Sequence, residues 1–129
     1  MNIKKSMIAF GIITFFSFGL NSVYAQVKNL AQTDFANVVK KEKAIVMDVR
    51  TEGEVASGYI KGTTLFADVN SSDFNAKISK LDKSKTYIIY CRSGARSGKA
   101  ANIMVQNGFK NVYNLNGGIM NWSGEVISH

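Results

Sequence analysis

The sequence predicts an α/β domain in which helices cover both faces of a parallel β-sheet. Short runs rich in apolar and β-branched residues alternate with helical segments of about ten residues, the pattern of strands joined by helical crossovers. The run AIVMDV, residues 44–49, is almost unbroken in its apolar character, as expected of a strand covered on both faces. The length of 129 residues fits one such domain and a short additional segment.

The additional segment lies at the N-terminus and is typical of a secretory signal peptide. Lys4 and Lys5 precede an uncharged run, residues 7–20, which small residues follow. As a helix, this run would cover only ~21 Å of a hydrocarbon core of ~30 Å, which argues against an uncleaved membrane anchor. We therefore expect residues 1–25 to be removed and residues 26–129 to be exported to the periplasm, or secreted if the cell has no outer membrane.

The expected mature chain is moderately basic, because fourteen Lys and Arg residues and nine Asp and Glu residues give it a net charge of +5. Such a surface could serve nucleic acid, an anionic membrane or small anions. The basic residues are not interleaved with aromatic residues, so solvated faces are the favoured interpretation. We expect no nucleic-acid partner for an exported protein, and no stable membrane insertion after the signal peptide is removed.

A strand near residues 27–30 and a short helix open the expected domain. Thr33 and Asp34 supply an N-cap and a first-turn acid for the helix. Its apolar residues recur at the spacing i, i+3, i+4 that places them on one helical face: Phe35, Val38 and Val39.

The predicted strand at residues 44–49 leads into a brief helix. Thr51 and Glu54 have the spacing at which a hydroxyl and a carboxylate each satisfy the other's free backbone N–H. Gly58 is expected to end this helix, and the run TTLFADV, residues 63–69, predicts a third strand.

A further helix follows the third strand, and Ser71 or Ser72 can cap it. It has one apolar stripe at the spacing i, i+4, i+7: Phe74, Ile78 and Leu81. The run TYIIY, residues 86–90, then predicts a buried strand because it consists of β-branched and aromatic residues.

The last part of the chain contains one more helix and one more strand. Residues 95–107 favour a helix, and Gly108 is well placed as the left-handed residue that ends it. The run NVYNL, residues 111–115, predicts the fifth strand, and NGGIMNW predicts a tight turn into a short helix.

The only cysteine, Cys91, directly follows the predicted strand at residues 86–90. It cannot form a disulfide within the chain, so it is a passive buried thiol, a partner for another chain or a nucleophile. Asp48 and Arg50 follow a second strand. Ligands of such sheets bind beyond the carboxyl ends of the strands, near the point where the strand order reverses, which is where we expect these residues.

The loop CRSGAR, residues 91–96, has a composition that favours a reactive thiolate. Its glycine allows successive backbone N–H groups to turn inward, and the positive end of the following helix, these N–H groups and Arg92 and Arg96 all favour thiolate over thiol. A passive thiol does not require these neighbours. His129 is the only histidine and is the last residue, so we expect electrostatic activation rather than a Cys-His pair.

Three ordered blocks of the sequence resemble a single-domain rhodanese, a sulfurtransferase: DVRTEGEVASGYIKGT, YCRSGARS and LNGGIMNW. The resemblance implies a three-layer α/β/α fold with a five-stranded parallel sheet in the order 3-2-4-5-1. It also implies that sulfane sulfur passes from a small anionic donor such as thiosulfate, through a persulfide on Cys91, to cyanide or a thiol acceptor. No metal or other cofactor is implied.

The resemblance assigns roles to the loop and to its neighbours. Cys91 is the sulfur carrier, and the rest of the loop forms the walls and backbone donors of the site: Arg92, Ser93, Gly94, Ala95 and Arg96. Arg92 is the better candidate for contacting the anion, whereas Arg96 braces the loop. The two guanidinium groups favour thiosulfate over 3-mercaptopyruvate. Supporting roles fall to Asp48, Arg50 and Ser97, and Gly117, Gly118 and Trp122 shape the pocket wall and core.

Two alternatives to a freely turning-over sulfurtransferase remain open. One is a persulfide carrier or binding module that docks a partner. The other is a phosphatase of the same fold, although such enzymes have five residues between cysteine and arginine, whereas Cys91 and Arg96 enclose four.

Overall fold

The computed structural model describes residues 25–128. The predicted signal peptide, apart from its last residue, lies outside the described residues, as does His129. Within the described range, none of the helices has the length and apolar composition that a membrane span requires.

Five parallel strands form the central sheet. In chain order, the strands of the described part of the chain are β1 (Lys28–Leu30), β2 (Ile45–Asp48), β3 (Tyr59–Ile60), β4 (Thr63–Phe66), β5 (Thr86–Tyr90), β6 (Asn111–Leu115) and β7 (Val126–Ile127). The sheet has the order β1-β6-β5-β2-β4, and all its pairs are parallel. When its five strands are counted along the chain, this is the order 3-2-4-5-1, so the predicted topology is confirmed.

Within residues 25–128, four α-helices and two short 3-10 turns accompany the strands. The helices are α1 (Phe35–Glu42), α2 (Glu52–Ala56), α3 (Phe74–Ser79) and α4 (Ala95–Gln106), and the turns are Gln32–Asp34 and Ile119–Asn121. The predicted capping box at the start of α2 is present, and Gly108 has the expected positive φ of 94° after α4. Both features depend only on residues close in sequence.

Several predicted element ends were wrong. No side-chain cap bond forms at the start of α1, where a 3-10 turn precedes the helix. Asp73, rather than Ser71 or Ser72, occupies the N-cap of α3. The third strand ends at Phe66, because the backbone N–H groups of Ala67 and Val69 bond irregularly to the carbonyls at the end of β2.

β5 lies in the middle of the sheet and is buried on both faces. Tyr87 and Ile89 belong to one apolar cluster, which includes Met104 of α4 and Ile78 of α3. Ile88 and Tyr90 of the same strand belong to a second apolar cluster on the opposite face of the sheet, together with Leu30, Phe35 and Leu115. Two covered faces are the reason that this strand has no polar alternation in its sequence.

A second sheet of two antiparallel strands was not predicted. Tyr59 pairs with Ile127 and Ile60 pairs with Val126. A strand of two residues is too short to show the alternation of apolar and polar residues by which strands are predicted from a sequence. This small sheet ties the segment between α2 and β4 to the C-terminal part of the described chain.

Candidate active site

Two neighbouring strands bring the predicted site residues to one edge of the sheet. β2 and β5 pair in parallel with Asp48 opposite Tyr90, so Cys91 emerges beside the end of β2. The chain continues from β2 outward to β4 on one side and from β5 outward to β6 on the other. The strand order therefore reverses between β2 and β5, and ligand sites of open parallel sheets lie at such a point.

The thiol of Cys91 is buried but has polar partners. Its side chain is 1% exposed, the Gly94 amide donates a hydrogen bond to Sγ at 3.1 Å, and the Ser97 hydroxyl lies 3.3 Å from Sγ. Burial raises the pKa of the thiol, but hydrogen bonds from the hydroxyl and amide of Ser97 and from the amides of Gly94 and Ser93 outweigh it and hold the pKa below its usual value. The hydrogen-bond donors around the sulfur thus favour the thiolate, and a passive core thiol would lack them.

The loop can surround the sulfur because Gly94 adopts a left-handed conformation. Its φ is 119°, and it forms the N-cap of α4. A residue with a Cβ rarely adopts this conformation, so glycine allows the chain to turn from β5 into α4 within four residues. An added Cβ at Gly94 would meet no atom within 4 Å, which shows open space on that side of the loop.

Ser97 has one hydroxyl proton and three possible acceptors. Its Oγ lies 2.6 Å from Oδ1 of Asn114, 3.1 Å from the Gly94 carbonyl and 3.3 Å from Sγ of Cys91. With a neutral thiol, the S–H group can donate to Oγ while the hydroxyl bonds to Asn114. With a thiolate, the hydroxyl can turn toward the sulfur, because a charged acceptor forms the stronger hydrogen bond.

The two arginines of the loop occupy different places. Arg96 forms a bidentate ion pair with Glu54 of α2, in which Nη1 donates to Oε1 at 2.7 Å and Nη2 donates to Oε2 at 2.9 Å. Arg92, by contrast, is exposed. The hydrogen bond from Arg96 is the main reason that the pKa of Glu54 falls to about 2. Arg96 thus joins the loop to α2.

Asp48 and Arg50 form a buried ion pair beside the loop. The shortest of their bonds, from Nη2 to Oδ2, is 2.6 Å, and the side chains are 0% and 7% exposed. Arg50 also donates to the carbonyl of Gly58 at 2.7 Å. The pair therefore fixes the chain between the end of β2 and the end of α2.

Gly118 packs directly against the start of the loop. The amides of Ile119 and Met120 donate to the carbonyls of Cys91 and Arg92, each at 3.0 Å. A Cβ at Gly118 would lie 2.4 Å from the carbonyl oxygen of Arg92. The 3-10 turn after β6 thus holds the backbone on which the thiol is mounted.

The other two residues of the predicted pocket wall, Gly117 and Trp122, pack against other parts of the protein. Trp122 packs edge-on against Phe35 with ring centroids 4.8 Å apart, so its ring belongs to the core beneath α1. A Cβ at Gly117 would meet the side chain of Asn121 at 2.7 Å, within the same turn.

Sequence reasoning missed two residues of the site. Glu54 was assigned only to the capping box, although it also binds Arg96, which is 42 positions away. Asn114 of β6 contacts both the hydroxyl of Ser97 and the carbonyl of Gly94. The only sequence signal for Asn114 was that it is a polar residue within the run NVYNL, because its partners belong to another element.

A cleft of about 640 Å³ opens at the same edge of the sheet, beside α2. Arg50, Ala67 and Asp68 line it, but Cys91 does not. Among residues 25–128, no group of His, Cys, Asp and Glu side chains is arranged to hold a metal ion.

The protein is thus an α/β domain with a parallel sheet, and its hydrogen-bonded thiol lies where the strand order reverses. Sulfurtransferases belong to this class of α/β proteins. Residues 31–125 match the model of the Rhodanese-like domain, and the chain belongs to this family. The family assignment made from the three sequence blocks is therefore confirmed.

Known proteins of the family support a sulfurtransferase type. The chain is 34% identical over 89 residues to the thiosulfate sulfurtransferase GlpE of Pseudomonas fluorescens, covering 69% of this chain and 79% of that protein. It is 33% identical over 97 residues to a tRNA uridine(34) hydroxylase of Cytophaga hutchinsonii, covering 74% of this chain but 31% of that longer protein. A rhodanese-related protein from Thermoplasma volcanium has a similar structure, with a TM-score of 0.68, 26% identity, and coverage of 79% of this chain and 99% of that one.

Proposed function

We propose that this protein is a thiosulfate sulfurtransferase that carries sulfane sulfur on Cys91. The observation that supports the proposal most directly is the set of donors on Sγ, which lowers the pKa of a thiol that burial alone would keep protonated. The similarity to a protein named thiosulfate sulfurtransferase supports this donor. In this proposal, Arg92 meets the incoming anion while Arg96 braces the loop.

The first step forms a persulfide without any proton transfer. The Cys91 thiolate attacks the outer sulfur of thiosulfate, the new Sγ–S bond forms, and the S–S bond of thiosulfate breaks. Sulfite leaves with the bonding electron pair. The amides of Ser93 and Gly94 and the hydroxyl of Ser97 can then hold the negative charge of the persulfide, as preorganised donors do in other catalytic sites.

The second step returns the thiolate. Cyanide or a thiolate acceptor attacks the outer sulfur and forms a C–S or S–S bond, and the electron pair of the persulfide bond returns to Sγ of Cys91. Neither step needs a general base, which agrees with a site that draws no histidine from the described residues.

Intact mass measurement after thiosulfate treatment tests the proposal. We expect the wild-type protein to gain one sulfur atom, cyanide to remove it as thiocyanate, and Cys91→Ser to gain nothing. Phosphate release from a phosphate ester without thiocyanate formation would instead support a phosphatase. No gain of mass in a folded wild-type protein would contradict the proposal.

A persulfide carrier with little free turnover is the second candidate, and the burial of Cys91 is the observation that favours it. A side chain that is 1% exposed would shield a persulfide from solvent. Stable loading by thiosulfate with slow thiocyanate release would identify a carrier, whereas rapid release would identify an enzyme that turns over freely.

We also propose export to the periplasm after cleavage behind Ala25. The support is the sequence pattern of a charged start, an apolar run and small residues. Mass measurement of the protein from a periplasmic fraction tests this proposal, since a chain that begins at Gln26 is expected, and a full-length chain confined to the cytoplasm would contradict it.

A further inference from the structure

Asn114 is a polar residue on the face of β6 that α4 covers. Val112 and Asn114 are two positions apart in the strand, so their side chains point to the same face of the sheet. Val112 belongs to the apolar cluster that includes Met104 of α4, and so does Ile89, the residue of β5 opposite Asn114. An asparagine at this position needs partners near α4, because a polar group without a partner is costly away from water.

The partners of Asn114 determine which way its amide group points. Its Nδ2 lies 3.3 Å from the carbonyl oxygen of Gly94, which can only accept, so Nδ2 is the donor. Its Oδ1 then faces Oγ of Ser97 at 2.6 Å, and the Ser97 hydroxyl must donate because an amide oxygen cannot. Gly98 leaves room for this arrangement, since a Cβ there would lie 3.4 Å from Nδ2. The proton of the Ser97 hydroxyl therefore points at Asn114.

The Gly94 carbonyl is not a serious competitor for this proton. It accepts from the amide of Gly98 at 3.0 Å and from Nδ2 of Asn114. A carbonyl oxygen has two lone pairs, which these two donors occupy. The acceptors that remain for the Ser97 hydroxyl are Oδ1 of Asn114 at 2.6 Å and Sγ of Cys91 at 3.3 Å.

These two acceptors compete only when the thiol is ionised. With a neutral thiol, the S–H group donates to Oγ of Ser97 and the hydroxyl donates to Asn114, so both bonds form together. With a thiolate, the hydroxyl must leave Asn114 to reach the sulfur. Ionisation of Cys91 therefore costs the bond between Ser97 and Asn114, whereas the bond from Asn114 to Gly94 is the same in both states.

We propose that Asn114 is a positioning residue that holds the Ser97 hydroxyl away from the sulfur and thereby limits the thiolate fraction of Cys91. Asn114 acts through Ser97 and does not touch the reacting atoms. The proposal rests on the proposed function only in that the Cys91 thiolate is the nucleophile. Alkylation by iodoacetamide reports the thiolate without any sulfur donor, so it tests the role of Asn114 separately.

Charged groups around the thiol are common to the proteins to be compared. Tyr90 precedes Cys91, but its hydroxyl bonds to the amide of Ile60 on the other face of the sheet. The turn after β6, residues 116–122, has no titratable side chain. The loop, the end of β2, α2 and the segment after β4 supply the charged side chains of this edge: Arg92, Arg96, Asp48, Arg50, Glu54 and Asp68.

Two substitutions of Asn114 with similar volume should shift the thiol pKa in opposite directions. Asn114→Leu removes the acceptor and frees the Ser97 hydroxyl for the sulfur, so the pKa of Cys91 should fall by about half to one pH unit, the equivalent of one neutral hydrogen bond. Asn114→Asp offers a stronger acceptor and a like charge, so the pKa should rise by about one unit or more. The pH dependence of alkylation measures both shifts, and urea unfolding shows that each variant is folded.

A double-mutant cycle tests whether Asn114 acts through Ser97. In a Ser97→Ala background, Asn114→Leu should leave the pKa of Cys91 unchanged. Asn111→Leu is the matched control in wild type, because Asn111 is another half-buried asparagine of β6 whose side chain bonds to Glu42 and Thr86 at the far end of the strand. It should leave the pKa at the wild-type value even if it lowers the free energy of unfolding.

A pKa that rises or stays the same in Asn114→Leu would overturn the proposal, as would a fall that persists in the Ser97→Ala background. If Asn114→Leu does not fold, Asn114→Val carries the same expectation with a β-branched side chain suited to a strand. Sulfur loading from thiosulfate at a pH below the thiol pKa should be about two- to threefold faster in Asn114→Leu, because more thiolate outweighs its lower intrinsic nucleophilicity. The expected pKa shifts in a wild-type protein that gains no sulfur would contradict the proposed function and leave the role of Asn114 standing.

Discussion

The reactivity of Cys91 depends on a balance between burial and hydrogen bonding. Burial is the largest single influence on the pKa and raises it, while hydrogen bonds from Ser97, Gly94 and Ser93 together lower it by more. The sequence led us to expect guanidinium charges to stabilise the thiolate. In the structure, the donors on Sγ are backbone amides and a hydroxyl, and Arg96 is held by Glu54.

Replacing Ser97 with alanine should raise the pKa of Cys91 by about one to two pH units. The hydroxyl is a donor to a buried charged group, and such a bond contributes about 1.5 to 3 kcal/mol. The pH dependence of alkylation by iodoacetamide measures the change.

Ser93→Ala is the matched control for Ser97→Ala, because Ser93 acts on Sγ through its amide, which alanine retains. Its thiol should keep the wild-type profile. Equal profiles for Ser97→Ala and wild type would show that the hydroxyl remains bonded to Asn114 and does not stabilise the thiolate.

At the scale of elements, the active-site loop is held between α2 on one side and the turn after β6 on the other. Arg96 bonds to Glu54 of α2, and the Cys91 and Arg92 carbonyls accept from the turn that Gly118 begins. Gly118 has φ of 58° and ψ of −160°, a combination that essentially only glycine adopts. The position of the nucleophile therefore depends on backbone contacts with two other elements.

Gly118→Ala should destabilise the protein by about 3 kcal/mol and slow persulfide formation by about tenfold or more. The added Cβ would meet backbone atoms of the loop, which cannot move aside as a flexible side chain can. A shift of the loop also misplaces the sulfur, to which reaction rates are sensitive. Urea unfolding and the rate of sulfur loading measure the two effects.

Gly53→Ala provides the control, because Gly53 lies within α2 and its Cβ would meet no atom within 4 Å. We expect it to stabilise the protein by about 0.5 to 1 kcal/mol through helix propensity and to leave the loading rate unchanged. Similar behaviour of both variants would show that the contact at Gly118 does not position the loop.

The elements differ in how well the sequence predicted them, and the reason is the range of the interactions that form them. The capping box of Thr51 and Glu54 and the buried character of β5 depend on neighbouring residues, so their patterns were sufficient. β3 and β7 form only by pairing with each other across the chain. The contact of Asn114 with Ser97 likewise exists only after β6 has packed beside α4.

At the scale of the whole molecule, the ion pair between Glu54 and Arg96 connects the two halves of the chain. α2 belongs to the segment that leads to β4, and Arg96 lies in the first turn of α4, the helix that leads to β6. Because each side chain is about 30% exposed, at 28% for Arg96 and 31% for Glu54, solvent screening limits the pair to ~1 kcal/mol of stability.

This connection should make the free energy of unfolding depend on pH in acid. The pKa of Glu54 falls from its ordinary value of 4.5 to about 2 in the folded protein. Unfolding therefore takes up a proton below about pH 4.5, and the contribution of Glu54, complete above that value, is lost as the pH falls toward about 2.

Glu54→Gln keeps the acceptor for the Thr51 amide but cannot titrate. Its unfolding free energy should therefore lie ~1 kcal/mol below that of wild type at about pH 6 and approach it at about pH 3. Urea unfolding at the two pH values measures the difference, and Glu52→Gln in the same helical turn is the control for the loss of one carboxylate from α2. A constant gap for Glu54→Gln would mean that the ion pair does not couple the two halves of the fold.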